Sequence, residues 1–268
     1  MTAPFFSIIG KEGALWTWAE FSEGSVLVAT ALFAFGAVMG SFLNVCVYRM
    51  PRKESILFPG SHCPICNHRI PFYDNIPVLS YVLLRGRCRF CKSSISFKYP
   101  FVEVLTALIF LFAFIRFGLS LQLMSCIAFF SFLIVASLID FDTETIPNKL
   151  TIPGIIIGLA ISPFTISVLR SALGVVIGMV ALYLIALVGG LIFKKEAMGG
   201  GDIKFLAMIG AFVGPINVLI VLFIGSLIGA ITGLIIKRRR IPFAPFLSVG
   251  GFVVTLWGDK ILALCKLS

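Results

Sequence analysis

Residues 205–236 read FLAMIGAFVGPINVLIVLFIGSLIGAITGLII, thirty-two positions without a charge. About 20 apolar residues cross the hydrocarbon core of a bilayer, so this run is too long for one ordinary crossing. Gly214-Pro215 stands inside it. Proline lacks a backbone N–H and breaks a helix, so the run divides into two. Outward from this stretch the pattern repeats. Uncharged runs cover Gly24–Tyr48, Phe117–Ile139, Leu150–Leu169 and Ser171–Phe193, and a last span runs from Ile241 to about Leu264. Tyr99–Ile115 is a further span provided Glu103 is tolerated near its start. The expectation is an all-α polytopic membrane protein with about eight transmembrane helices, the one at 203–213 being short. The chain then divides into an N-terminal tail 1–23, a first transmembrane helix 24–48, a loop domain 49–98 and a transmembrane core 99–268.

Composition agrees with this. Of 268 residues, 59% are apolar and 13% charged, against roughly 45–50% and about 25% in soluble domains. The mean hydropathy is +1.06. Such a balance excludes disorder and argues against a soluble globular enzyme. Phe (27) outnumbers Trp (3) and Tyr (5), as expected of lipid-facing helices. No cleavable signal peptide is expected, because residues 1–23 carry Glu12, Glu20 and Glu23 and no basic leading region.

The formal charge of +10 raises the question of nucleic acid, and its distribution answers it. With the loop 49–98 on the inner side, seventeen Lys and Arg fall inside, against Lys11, Arg116, Arg170, Lys260 and Lys266 outside. Such an asymmetry sets topology through the positive-inside rule, so no nucleic-acid partner is expected. Both termini then lie outside. If 203–213 only re-enters the membrane, the last two spans invert. Gly36-x-x-x-Gly40 and Gly225-x-x-x-Gly229-x-x-x-Gly233 let helices approach closely in lipid and are read as bundle packing.

The loop reads Cys63-Pro-Ile-Cys66, then 21 residues, then Cys88-Arg-Phe-Cys91. Two C-x-x-C turns complete a tetrahedral four-cysteine zinc site. Two disulfides are the other reading, and they are rare in the reducing compartment where the charge count puts this loop. With four protein ligands no position is open for water, so Zn2+ here is structural and folds a loop with little core of its own. His62 and His68 flank the first pair and read as exposed polar residues. Cys46, Cys126 and Cys265 fall in or beside spans and read as apolar filler.

Ionisable residues bordering spans are functional candidates, because burial there is costly. Asp140 follows the run Phe117–Ile139, Asp142 comes two residues later, and Asp202 follows Gly199-Gly200-Gly201. All three fall at the inner face. Asp142 and Glu144 read as solvated helix-end charges. An aspartate opening a helix can be an N-cap, but a cap needs no triple glycine, which instead lets backbone approach a partner closely. Two carboxylates brought together share one proton. One then acts as base on a water while the other polarises a peptide carbonyl. The glycines fail as a dinucleotide loop, because Lys204 stands where G-x-G-x-x-G needs its last glycine.

These motifs together resemble the bacterial prepilin peptidases. The resemblance rests on Gly40-Ser41-Phe42-Leu43-Asn44 through Tyr48-Arg49-Met50-Pro51, the two cysteine pairs, and Asn75 to Tyr81. Arg85-Gly86-Arg87-Cys88, Tyr99-Pro100-Phe101-Val102-Glu103, Ile139-Asp140 with Ile146-Pro147-Asn148, and Gly199 to Lys204 complete it. They keep the family's order over residues 40–210; the tail after 215 matches only in hydrophobicity. The resemblance implies an eight-helix GxGD intramembrane aspartic protease of the cell inner membrane, with Asp140 and Asp202 as its catalytic pair. It implies cleavage of the basic leader from type IV prepilins and type II secretion pseudopilins, after a glycine on the cytoplasmic side. For members with the cysteine loop it implies methylation of the new N-terminal residue from S-adenosylmethionine. Asp142 is the alternative first aspartate, and Gly200 fills the variable position of GxGD. No glycine-rich fingerprint marks the S-adenosylmethionine site. Glu103 is a candidate for gripping an ammonium, or else a helix N-terminal carboxylate favoured by the macrodipole. A cleavage-only peptidase, a transporter built on the break at Gly214-Pro215, and a zinc-bearing scaffold are the alternatives. Replacing Asp202 would leave a scaffold indifferent.

Overall fold

The computed structural model describes residues 23–193, 199–236 and 241–264. Lys11, Lys194, Lys195, Lys237, Arg238, Arg239, Arg240, Cys265 and Lys266 lie outside the described residues. Among the described residues the chain is helical, with two isolated β-bridges and no strand. The helices are α1 Glu23–Arg49, α2 Leu79–Leu83, α3 Lys98–Phe117, α4 Leu121–Thr143 and α5 Asn148–Ile161, then α6 Val168–Phe193, α7 Gly200–Val213, α8 Pro215–Ile236 and α9 Ala244–Leu264. Five of them, α1, α3, α4, α6 and α8, are long and apolar enough to cross a bilayer. The apolar part of α9, Ala244–Gly258, and α5 are shorter.

The expected break is present. Gly214 adopts φ +83, a left-handed value that glycine tolerates, its N–H closes α7 on the Gly210 carbonyl, and Pro215 opens α8. Several boundaries differ from the sequence reading. The span expected at 150–169 stops at Ile161, because Ser162-Pro163 turns into a 3-10 segment, and α6 starts at Val168. The run expected from Phe117 starts at Leu121, because Gly118 with φ +60 closes α3. At its other end α4 continues to Thr143, which places Asp140 inside its last turn.

The chain divides into two units, one ending at Leu123 and one beginning at Met124. In the first, α1 and α3 pack through Gly36 and Gly40, as their spacing leads one to expect. A Cβ at Gly36 would stand 2.7 Å from the Ala107 Cα, and one at Gly40 would stand 2.7 Å from the Glu103 Cα. In the second unit α7 is the centre. Every residue from Phe205 to Val213 is buried, against α5, α6, α8 and α9. At about 1.5 Å per residue α7 spans roughly 21 Å, short of the roughly 30 Å hydrocarbon core. Its neighbours cover it, so its length is not set by lipid. By contrast α6 and α8 have only 11% and 17% of their apolar stretches buried, as suits helices facing lipid.

Candidate active site and metal centre

Asp140 is 5% exposed because it continues the buried row of Leu133 and Ala136 along α4. Asp142 lies about 200° further round the helix and is exposed. The Asp140 Oδ2 accepts the backbone N–H of Ala244 at 2.9 Å, and the Phe243 amide also faces this carboxylate. Ala244 opens α9, and the first N–H groups of a helix have no partner within it. A carboxylate there satisfies one of them and meets the positive end of the helix dipole.

Asp202 is the third residue of α7, and its carboxylate turns back toward the amide of Gly199. Of the three glycines, only Gly201 is in close approach. A Cβ there would lie 3.2 Å from Ile146, whereas one at Gly200 would meet nothing within 4 Å. Lys204 Nζ donates to Asn148 Oδ1 at 2.8 Å. The first turn of α7 thus clasps the Ile146–Asn148 turn that leaves α4. With that clasp in place, Asp202 lies within reach of the Asp140 charge.

The four cysteines belong to the first unit and form one cluster that can hold a metal ion. Their sulfurs all lie within 4.8 Å of one another, with Cys63 Sγ and Cys91 Sγ 3.8 Å apart. For Zn–S bonds of about 2.3 Å, a tetrahedron has edges of about 3.8 Å, so the donor set fits. Each pair sits on the same turn. Cys63 N–H bonds the His68 carbonyl and Asn67 N–H the Cys63 carbonyl; 25 positions on, Cys88 N–H bonds Ser93 and Lys92 N–H bonds Cys88. Asn67 and Lys92 adopt φ +53 and +60, and β-bridges His62–Arg69 and Arg87–Ser94 close both turns. The backbone amide of Cys66 helps draw the Cys63 thiol down to about 6. At Cys66 an amide favours the thiolate, yet desolvation and the neighbouring sulfurs push it up to about 11. His62 and His68 are exposed and stay outside the cluster; His68 lies against the Phe90 ring, centroids 3.5 Å apart.

Glu103 is 8% exposed and lies beyond the first turn of α3. The macrodipole reading therefore falls away, because that effect fades within the first turn. Its Oε2 accepts the Val78 N–H at 2.8 Å, and the Ser41 hydroxyl also bonds the carboxylate.

Residues 34–117 match the bacterial peptidase A24 N-terminal domain, and residues 127–234 match the type IV leader peptidase family. A prepilin leader peptidase/N-methyltransferase of Pseudomonas putida is 35% identical, over 93% of this chain and 96% of its own. Proteins with the same name from Bacillus subtilis (37% identical, 87% of this chain, 95% of theirs) and Pseudomonas aeruginosa (34%, 84% and 89%) align similarly. No solved structure matches the chain.

The chain belongs to the type IV leader peptidase family. Within the family's matched region lie both aspartates, Ile146–Asn148 and the glycines. The amide partner of Asp140 lies beyond residue 234, in the last expected span, where the sequence resembles the family only in hydrophobicity. A signal was there: Pro242-Phe243-Ala244-Pro245 is the composition of a helix start. The 25-residue echo of the cysteine turns and the Ser93 Oγ, 3.0 Å from Cys91 Sγ, were also missed.

Proposed function

We propose that this chain is a multi-pass enzyme of the inner membrane that removes the leader from prepilins and pseudopilins and then methylates the exposed amine. Leader cleavage and N-methylation are what the names of its relatives describe. The observation that carries the cleavage reading is the pairing of Asp140 and Asp202 at the ends of α4 and α7. The Ala244 amide holds Asp140 through Oδ2 and so fixes the carboxylate that would activate a water or share a proton. One carboxylate removes a proton from water as its oxygen attacks the scissile carbonyl carbon. The other, protonated, donates to the carbonyl oxygen, and the leaving nitrogen collects a proton as the peptide bond breaks. Cleavage after a glycine is the family's habit and remains our proposal here, as does the assignment of Asp140 rather than Asp142.

Cys63, Cys66, Cys88 and Cys91 would hold Zn2+, whose part is to fold the loop 49–98; a closed four-sulfur shell leaves no place for an attacking water. S-adenosylmethionine is the methyl donor we propose. The amine's electron pair forms the new N–C bond, the S–C pair stays on sulfur, and the amine's proton leaves to solvent. The surplus of Lys and Arg on one side supports placing the loop and both aspartates at the cytoplasmic face. A prepilin's apolar helix would stay in the membrane there, its basic leader projecting inward. The test is to incubate purified protein with a prepilin and S-adenosylmethionine and weigh the product. Loss of the leader and a gain of about 14 Da, the net CH2 when a methyl replaces one amine hydrogen, is expected; an intact prepilin overturns the reading.

A further inference from the structure

In the first unit a cleft of about 400 Å³ is bordered by α1, the cysteine loop and the start of α3. Sites for small ligands run roughly 300–1,000 Å³. Three kinds of charge line it. Asp74 is spent on Arg89, in a two-pronged bond of 2.6 and 2.7 Å. Arg49 is 6% exposed, and its guanidinium donates to two neutral acceptors, the carbonyls of Ser55 (2.9 Å) and Gly60 (3.3 Å). Glu103 accepts from the Val78 amide and the Ser41 hydroxyl. Among the described residues neither Arg49 nor Glu103 forms a salt bridge. The cavity therefore holds one buried cation and one buried anion, each solvated by neutral groups and each without a salt-bridge partner among the described residues. Burying unpaired charges is costly, so their retention calls for a ligand that completes them.

Backbone strain points the same way. Val78 is β-branched, yet it adopts φ +60 and ψ −49, and in that conformation its N–H is aimed at Glu103. Strain of this kind persists where the surroundings over-determine it, and it gathers at ligand sites. Tyr81, Phe90 and Tyr99 add aromatic wall to the same space.

We propose that this cavity binds S-adenosylmethionine, with Glu103 holding its positively charged end, Arg49 facing its carboxylate, and the aromatic wall receiving its adenine. The donor is a zwitterionic amino acid bearing an extra sulfonium charge, and the lining offers the complementary pair of charges. This rests on reading the chain as a methyltransferase.

Binding itself is the readout. Equilibrium dialysis of tritiated S-adenosylmethionine with the detergent-solubilised full chain measures affinity without turnover. Glu103→Gln removes the charge and keeps the shape, and it is expected to weaken binding about tenfold or more. Zinc content and melting temperature report whether the variant is folded. Ultraviolet crosslinking of the labelled donor to unmutated protein gives an answer that needs no variant: the label is expected in peptides within 41–103. Unchanged affinity in folded Glu103→Gln, label in 124–264, or a phospholipid in that space as the crosslinked species overturns the assignment. If the chain methylates cleaved pilin while the label lies elsewhere, the cavity fails and the methyltransferase reading stands. If it neither binds donor nor methylates, both fall together.

Discussion

In the unit that ends at Leu123, the groups able to do chemistry sit on loops and on the flanks of two helices, around an open space lined with charge. In the unit that begins at Met124, they sit at helix ends: Asp140 in the last turn of α4, Asp202 in the first turn of α7, and the Ala244 amide at the start of α9. The first arrangement suits holding a whole small molecule, which needs volume and several weak contacts. The second suits a water and one peptide bond, which need two carboxylates fixed against rigid backbone. On our proposal each unit carries what one of the two reactions requires, and that division can be attacked.

The largest effect is expected at the aspartates. Asp140→Asn and Asp202→Asn should each lower leader cleavage by about a thousandfold or more, since asparagine neither takes the water's proton nor shares one. Asp142→Asn, altered on the exposed side of α4, should retain most activity. A dead Asp142→Asn beside an active Asp140→Asn would transfer the role to Asp142. Methylation of a pre-cut pilin should survive Asp202→Asn, read as product mass. Its loss in folded protein would merge the two activities into one site and end the comparison.

A smaller loss is expected from Ala244→Pro. Proline suits the first turn of a helix and removes only the N–H that Asp140 uses. One hydrogen bond to a charged group is worth about 1.5–3 kcal/mol, so cleavage should fall about tenfold to a hundredfold. Ala244→Gly, which keeps the N–H, is the control. Equal losses in both would show that packing at this buried position matters rather than the amide.

Legibility in the sequence followed the same line between the units. Covalent rules act over short spacings, so the cysteine cluster could be read directly: C-x-x-C twice predicts sulfurs that converge, and they lie within 4.8 Å. The break at Gly214-Pro215 was legible because φ +83 and a missing N–H are properties of those two residues alone. Asp140 with Asp202 needed the family resemblance, because only the meeting of Gly201 with Ile146 makes 61 intervening positions irrelevant. Ala244 could not be read at all by side-chain type, since its contribution is a main-chain N–H shared by nearly every residue. Glu103 was visible as an odd charge in a span, but its partners are distant in sequence, Val78 within the loop and Ser41 on α1 before it.

On the loop side, Cys63→Ser or Cys88→Ser should abolish stoichiometric zinc and lower methylation about tenfold, because the cavity's wall includes both residues. Cleavage should fall much less. Equal loss of both activities in metal-free protein would mean that the loop supports the second unit's chemistry too.

The smallest effect tests how the two halves of that loop are held together. Arg89, beside the second cysteine turn, grips Asp74 on the segment between the turns. The hydrogen bonds and charge of Arg89 hold the Asp74 carboxyl below its ordinary value of 3.8. A carboxyl depressed on folding adds stability that is fully present above its unfolded value and is lost as pH falls through the folded one. The pair should therefore hold at neutral pH and weaken only below about pH 4. Arg89 is 48% exposed, so water screens the attraction and the pair adds little stability. Asp74→Asn should speed zinc release to a chelator at pH 7 by no more than about fivefold. At a pH low enough to protonate Asp74, variant and parent should release zinc alike. A variant that stays faster than its parent there would show that Asp74 supports the loop through contacts other than its charge.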